Sequence, residues 1–146
     1  MLGTVFRART RAHGLHWMFS DWRRTRDPDL REDMAAAIAH AGNSGQWNDR
    51  EPREDIRAQH AAEASDTLAQ MLRETRDPKT RYQLLRGCAF GLGALLPADV
   101  SGAALLREVA AREPDERRRD RLGRAADALT RDASGTEFVR TIGGRE

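Results

Sequence analysis

The sequence predicts an all-α fold of five to six helices, and three observations carry that expectation. Hydrophobic residues make up 39% of the chain and aromatic ones only 5%, with alanine dominating the apolar set. That balance favours close-packed helices over strands, which draw on β-branched and aromatic side chains. Apolar residues also recur at steps of three and four along most of the chain, the spacing of one helix face. Finally, acid–proline pairs stand ahead of helical patterns at Arg26-Asp27-Pro28, Arg50-Glu51-Pro52, Arg76-Asp77-Pro78 and Arg112-Glu113-Pro114. Proline is tolerated at the first helical position because its missing N–H would be unpaired there anyway. The acid before it accepts from free N–H groups at the positive end of the helix dipole. Aspartate does this better than glutamate, so Asp27 and Asp77 are the better caps.

The elements follow in order. Val5, Ala8, Ala12, Leu15, Phe19 and Trp22 form one stripe of a first helix, weakened at Gly14. The second begins at Pro28, buries Leu30, Met34, Ala37, Ile38 and Ala41, and stops at Gly42. The stretch GNSGQWND (42–49) is the clearest loop, with Trp47 in its middle. A third helix offers Ile56, Ala64, Leu68, Met71 and Leu72. The fourth, from Pro78 to about Leu96, is the most apolar, with Tyr82, Leu85, Ala89, Leu92 and Leu95 on its buried side. Ser101 caps a short fifth helix carrying Leu105, Leu106 and Val109. The sixth runs from Pro114 and buries Leu122, Ala125, Ala126 and Leu129, with Asp120 and Arg124 as an i, i+4 ion pair on its solvated side. The expected organisation is one helical domain over 1–133 and a flexible C-terminal tail over 134–146, briefly extended around Phe138-Val139.

At 146 residues the chain is long enough to bury a core without metals or disulfides. Cys88 is its single cysteine, which rules out an intramolecular disulfide and points to a reducing, cytoplasmic compartment. No stretch approaches the length of a membrane span, and the N-terminal arginines lead into no secretory signal. Net charge is only +2, yet residues 1–26 set six arginines against Asp21 alone, a balance of +5 that leaves residues 27–146 at −3. Of the 25 basic residues only Lys79 is a lysine.

Two of the helix starts share a longer pattern, Asp27-Pro28-Asp29-Leu30-Arg31 and Asp77-Pro78-Lys79-Thr80-Arg81. Glu113-Pro114-Asp115-Glu116-Arg117 repeats it with Glu for Asp. Asp-Pro-x-x-Arg ahead of an Ala/Leu-rich helix resembles the opening of HEAT-like helical repeats. The resemblance implies that the acid caps the helix and that the arginine links neighbouring repeats by hydrogen bonds. The R[D/E]P starts lie 24, 26 and 36 residues apart, whereas repeat arrays keep a nearly fixed period. The architecture is thus either a short HEAT-like stack or an irregular helical bundle.

Chemistry is sparsely written. His13 and His16 form an i, i+3 pair, as do His60 and Glu63, but a closed metal site needs further converging ligands. Cys88 lies in an apolar segment with no base nominated to activate it, and no phosphate-cradling glycine motif follows a strand. An enzyme is therefore the least supported class, and no cofactor or metal is expected. The residue types that remain suit binding. Arg7, Arg9, Arg11, Arg23, Arg24 and Arg26, with Trp17 and Trp47, are of the kinds enriched at interface hot spots. They point to a protein–protein interaction or scaffold domain that associates with a partner or with itself. Alternatively the same arginines neutralise phosphates and Trp17 or Trp22 stacks on bases, which would make the chain a nucleic-acid-binding protein.

Overall fold

The computed structural model describes residues 15–43, 66–92, 100–132 and 136–143, and their side chains except those of 15–17, 42–43, 88–92 and 100–101. Every regular element among them is a helix: α1 (Leu15–Arg24), α2 (Pro28–Asn43), α3 (66–74), α4 (Pro78–Leu92), α5 (Val100–Ala111), α6 (Glu116–Arg131) and α7 (Thr136–Gly143). No described helix is long and apolar enough to cross a membrane.

The stripes read from the sequence largely supply the core. Phe19 and Trp22 of α1, Met34, Ile38 and Ala41 of α2, Leu68, Met71 and Leu72 of α3, and Tyr82 and Leu85 of α4 are all buried in one cluster. Leu105, Leu106 and Val109 of α5 and Leu122, Ala125, Ala126 and Leu129 of α6 complete it from the other end. Leu30 departs from expectation. It is 39% exposed, because α2 turns Met34, Ala35, Ile38 and Ala39 inward and leaves its first turn outside. The pairing of Asp120 with Arg124 is not formed either. Asp127, one turn on, instead takes Arg107 of α5 at 3.0 Å. Ser101 lies inside α5, which already starts at Val100.

The seventh helix corrects the C-terminal reading. Residues 136–143 are not a flexible or extended tail but α7, whose Phe138 and Ile142 are 1% and 0% exposed. Threonine, valine and isoleucine are mediocre helix formers, so propensity alone argued against this helix. Packing decides otherwise, since an i, i+4 pair of large apolar side chains finds a surface to bury against. The start is fixed locally: the Glu137 N–H donates to Asp132 Oδ2 at 3.0 Å, and Arg131 Nη2 meets Glu137 Oε1 at 2.6 Å.

The helices pack as α1 on α2, α2 on α4, α5 on α6, and α7 on both α6 and α4. Consecutive helices α1/α2, α3/α4 and α5/α6 are joined by short corners at residues 25–27, 75–77 and 112–115. These three corners carry a connected set of hydrogen bonds and ion pairs.

Candidate interaction surface

Each corner is built by the same device. In the first, the Asp27 carbonyl accepts the Arg31 N–H at 2.9 Å while its side chain accepts from the Asp29 N–H at 3.1 Å. In the second, the Asp77 carbonyl accepts from Arg81 at 3.1 Å, and Asp77 Oδ2 accepts from both the N–H and the hydroxyl of Thr80 at 3.1 and 2.8 Å. Pro28 and Pro78 occupy the first helical position, as the sequence predicts. The third corner shifts the expected register by two residues. Asp115, not Glu113, is the N-cap; its side chain accepts from the Arg118 N–H at 2.9 Å and its carbonyl from Arg119 at 2.9 Å. Pro114 therefore stands just before the cap, and Glu113 is buried at 2% exposure, its Oε1 accepting the Asp115 N–H at 3.1 Å. Aspartate's shorter side chain reaches the free amides of the first turn, which is why it wins the cap from Glu113.

In that corrected register the caps Asp27, Asp77 and Asp115 lie 50 and 38 residues apart, and the arginine four residues after each cap plays one role. It folds back onto main-chain oxygens of its own corner or of the last turn of the helix before it. Arg31 Nε lies 3.4 Å from the Trp22 carbonyl, Arg81 Nη1 donates to the carbonyls of Thr75 and Arg76 at 2.9 and 3.0 Å, and Arg119 Nη1 donates to that of Glu113 at 3.2 Å. A cation placed there also favours the negative end of the preceding helix dipole. Arg31 additionally lies over the Trp22 ring, 3.9 Å from its centroid, while the Trp22 indole N–H donates to the Arg31 carbonyl at 3.2 Å. Trp22 is 1% exposed and already stacked, so it has no free face for a base.

The corners are then bridged to one another. Arg31 Nη1 reaches both carboxylate oxygens of Glu74 at 3.1 and 2.9 Å. Glu32 accepts from the N–H groups of Arg76 and Asp77 at 3.0 to 3.1 Å, and the Arg76 guanidinium pairs with Asp29 at 2.9 Å. Between the second and third corners Arg81 Nη2 donates to the Arg112 carbonyl at 2.9 Å, and Arg112 Nη1 returns to the carbonyls of Leu72 and Arg73 at 3.4 and 3.2 Å. Tyr82 extends the bridge, with its hydroxyl 3.3 Å from Arg121 Nη1 and its ring 5.8 Å from the Arg118 guanidinium.

Electrostatics follow from this placement. Burial lowers the Arg81 pKa, nearby Arg112 adds to the effect, and Glu113, Asp77 and Glu32 oppose it. The Thr80 hydroxyl chiefly holds the Asp77 carboxyl below its ordinary range, against a smaller desolvation effect. Asp29 raises the pKa of Arg76 by hydrogen bonding and charge. Where the first two corners meet, Trp22, Arg26, Arg31, Glu32, Glu74 and Arg76 border a pocket of about 290 Å³. Both signs of charge line it, and its carboxylates already hold arginines or amides.

Of the residues nominated from sequence, Arg23 and Arg24 end α1 and Arg26 lies in the first corner. All three are exposed. Arg24 pairs with Asp21 at 2.9 Å, whereas Arg23 and Arg26 make no hydrogen bond or ion pair among the described residues. Arg7, Arg9, Arg11 and Trp47 lie outside the described residues, as do His13, His60 and Glu63; Trp17, His16 and Cys88 lie in helices, but their side chains are outside the described set. Among the described residues no three His, Cys, Asp or Glu side chains gather as a metal would require. Of the bridging residues, Arg81 is a linking arginine that the resemblance implies, whereas Glu32, Glu74, Arg76 and Arg112 are not among the residues nominated from sequence. Among these five the repeated Asp-Pro-x-x-Arg signals Arg81 alone, by placing an arginine where it can reach the corner behind it. No family model matches the chain, and no curated protein or solved structure is significantly similar to it.

Proposed function

We propose that the chain is a non-enzymatic interaction or scaffold domain of the cytoplasm, built from HEAT-like helix pairs, that binds a protein partner or a second copy of itself. The observation that carries this reading is the corner ladder. Three helix pairs share one cap-and-arginine device and are bridged corner to corner by Arg31–Glu74 and Arg81–Arg112. Stacked pairs of this kind expose extended, mixed-charge edges suited to protein surfaces. Light scattering on the full chain over a wide concentration range, together with cross-linking during purification from its native host, tests it. Self-association or one reproducible cross-linked protein is expected. A strict monomer with no cross-linked protein overturns the reading.

A second reading rests on Arg23 and Arg26, exposed and without partners among the described residues, at the end of the basic N-terminal segment. It assigns these residues, with Arg7, Arg9 and Arg11, to phosphates of nucleic acid. Generic DNA and RNA are titrated at low and raised salt. Affinity that falls with salt, and falls further in an Arg23→Ala/Arg26→Ala variant, supports it; salt-insensitive or absent binding removes it.

A further inference from the structure

The three helix pairs are bridged without the last helix. The corner bonds described above run from Trp22 to Arg121 and involve no residue of 136–143. α2 packs directly on α4, but α7 packs against both α4 and α6. The side-chain bonds that join α4 to α6 lie near their starts, at Tyr82, Arg118 and Arg121. α7 thus fills a groove between two helices that are tied together at their corner end. It is an eight-residue helix whose large buried anchors are Phe138 and Ile142, rooted by Arg131–Glu137 and by the Glu137 amide on Asp132. Two turns are far below the length at which a helix is stable in water, so α7 is helical because the groove holds it.

We propose that this groove is a helix-binding site that also accepts α7 of a second copy, so that two chains exchange their C-terminal helices. The occupant is set by the fit on view, since Phe138 and Ile142 at i and i+4 are the side chains that the groove encloses. Every copy brings both groove and helix, so the exchange closes as a symmetric pair. Opening it withdraws two anchors and leaves the corner ladder intact. The proposal rests on the self-association part of the reading above.

The test uses the full chain carrying Phe138→Ala and Ile142→Ala, titrated with a fluorescent peptide of residues 132–146. The peptide is expected to bind this variant at least about tenfold more tightly than the wild type, and a peptide with the same two alanines to bind neither. Circular dichroism establishes that the variant is folded. Should it not fold, Phe138→Ala alone replaces it, and failure of both overturns the proposal, because the frame would then require α7. A folded variant that ignores the peptide, or binds it no better than the wild type, overturns it as well. Differently tagged wild-type copies mixed at high concentration are expected to co-purify, and copies with both alanines not to. Peptide binding without that exchange assigns the groove to another protein's helix and removes the second copy. Co-purification that survives both alanines, without peptide binding, sinks the exchange and leaves the interaction reading standing.

Discussion

The first and second corners are written with the same four letters, Thr-Arg-Asp-Pro, yet their arginines live in different surroundings. Arg31 keeps 19% of its side chain exposed, rests on the Trp22 ring and pairs with Glu74, itself 42% exposed. Arg81 is 3% exposed and donates to three main-chain carbonyls, from Thr75, Arg76 and Arg112. The difference comes from position among the three corners. The second corner has a corner on each side, so its arginine is closed in, while water reaches the first. The shared letters therefore place a capping aspartate, a helix-starting proline and a returning arginine at the same positions, and the neighbours decide how much that arrangement is worth.

The strongest way to break this comparison is to remove both arginines in turn. Arg81→Ala takes this donor from three carbonyls, one buried and two partly buried, and a buried acceptor so abandoned costs about 1–3 kcal/mol. A loss of about 3 kcal/mol or more is expected in urea unfolding. Arg31→Ala removes a half-exposed ion pair and a cation–π contact and is expected to cost about 1 kcal/mol. Equal losses at the two sites would show that burial does not separate them.

The third corner offers a smaller test of the same device. Asp115→Ala is expected to cost about 1 kcal/mol as the loss of an N-cap, measured by thermal unfolding. A neutral result would return the cap to Glu113. Smaller still, and opposite in sign, is Gly123→Ala in the middle of α6. A Cβ at Gly123 meets nothing within 4 Å, so the substitution is expected to stabilise by about 0.5–1 kcal/mol.

The weakest effect is in pH. Folding holds the Asp77 carboxyl below its ordinary value of 3.8, chiefly through the Thr80 hydroxyl. A depressed folded-state pKa contributes stability that is present above the unfolded value and is lost as pH falls through the folded one. Stability is thus expected to decline below about pH 4, and Thr80→Val to flatten that decline in acid titration of the unfolding midpoint.

Much of the fold was legible because it rests on local chemistry. Asp27-Pro28 and Asp77-Pro78 announced two helix starts, and the stripes of α3, α5 and α6 placed Leu72, Leu106 and Leu122 in the core. What was illegible depends on distant partners. Phe138 and Ile142 read as a tail because the surface that makes them helical comes from α4 and α6. Asp115 was hidden behind Pro114, since two acids competed for one cap and only reach distinguishes them. The corner bridges were half visible: the motif supplied Arg31 and Arg81, whereas Glu32, Glu74 and Arg112 carry no local mark. The caps Asp27, Asp77 and Asp115, 50 and 38 residues apart, keep no more regular a period than the acid–proline pairs do.

The acceptors of Arg81 have a consequence of their own. They are peptide oxygens, which every residue at positions 75, 76 and 112 would present equally. The Arg81 half of the link between the second and third corners is thus indifferent to side-chain identity at those acceptor sites, whereas the return bonds to Leu72 and Arg73 need the Arg112 side chain. Positions 75 and 76 are therefore free to drift while the Arg81 bonds survive. A further pair could be grafted on with little more than a capping aspartate, an arginine four places later and a corner of the right length.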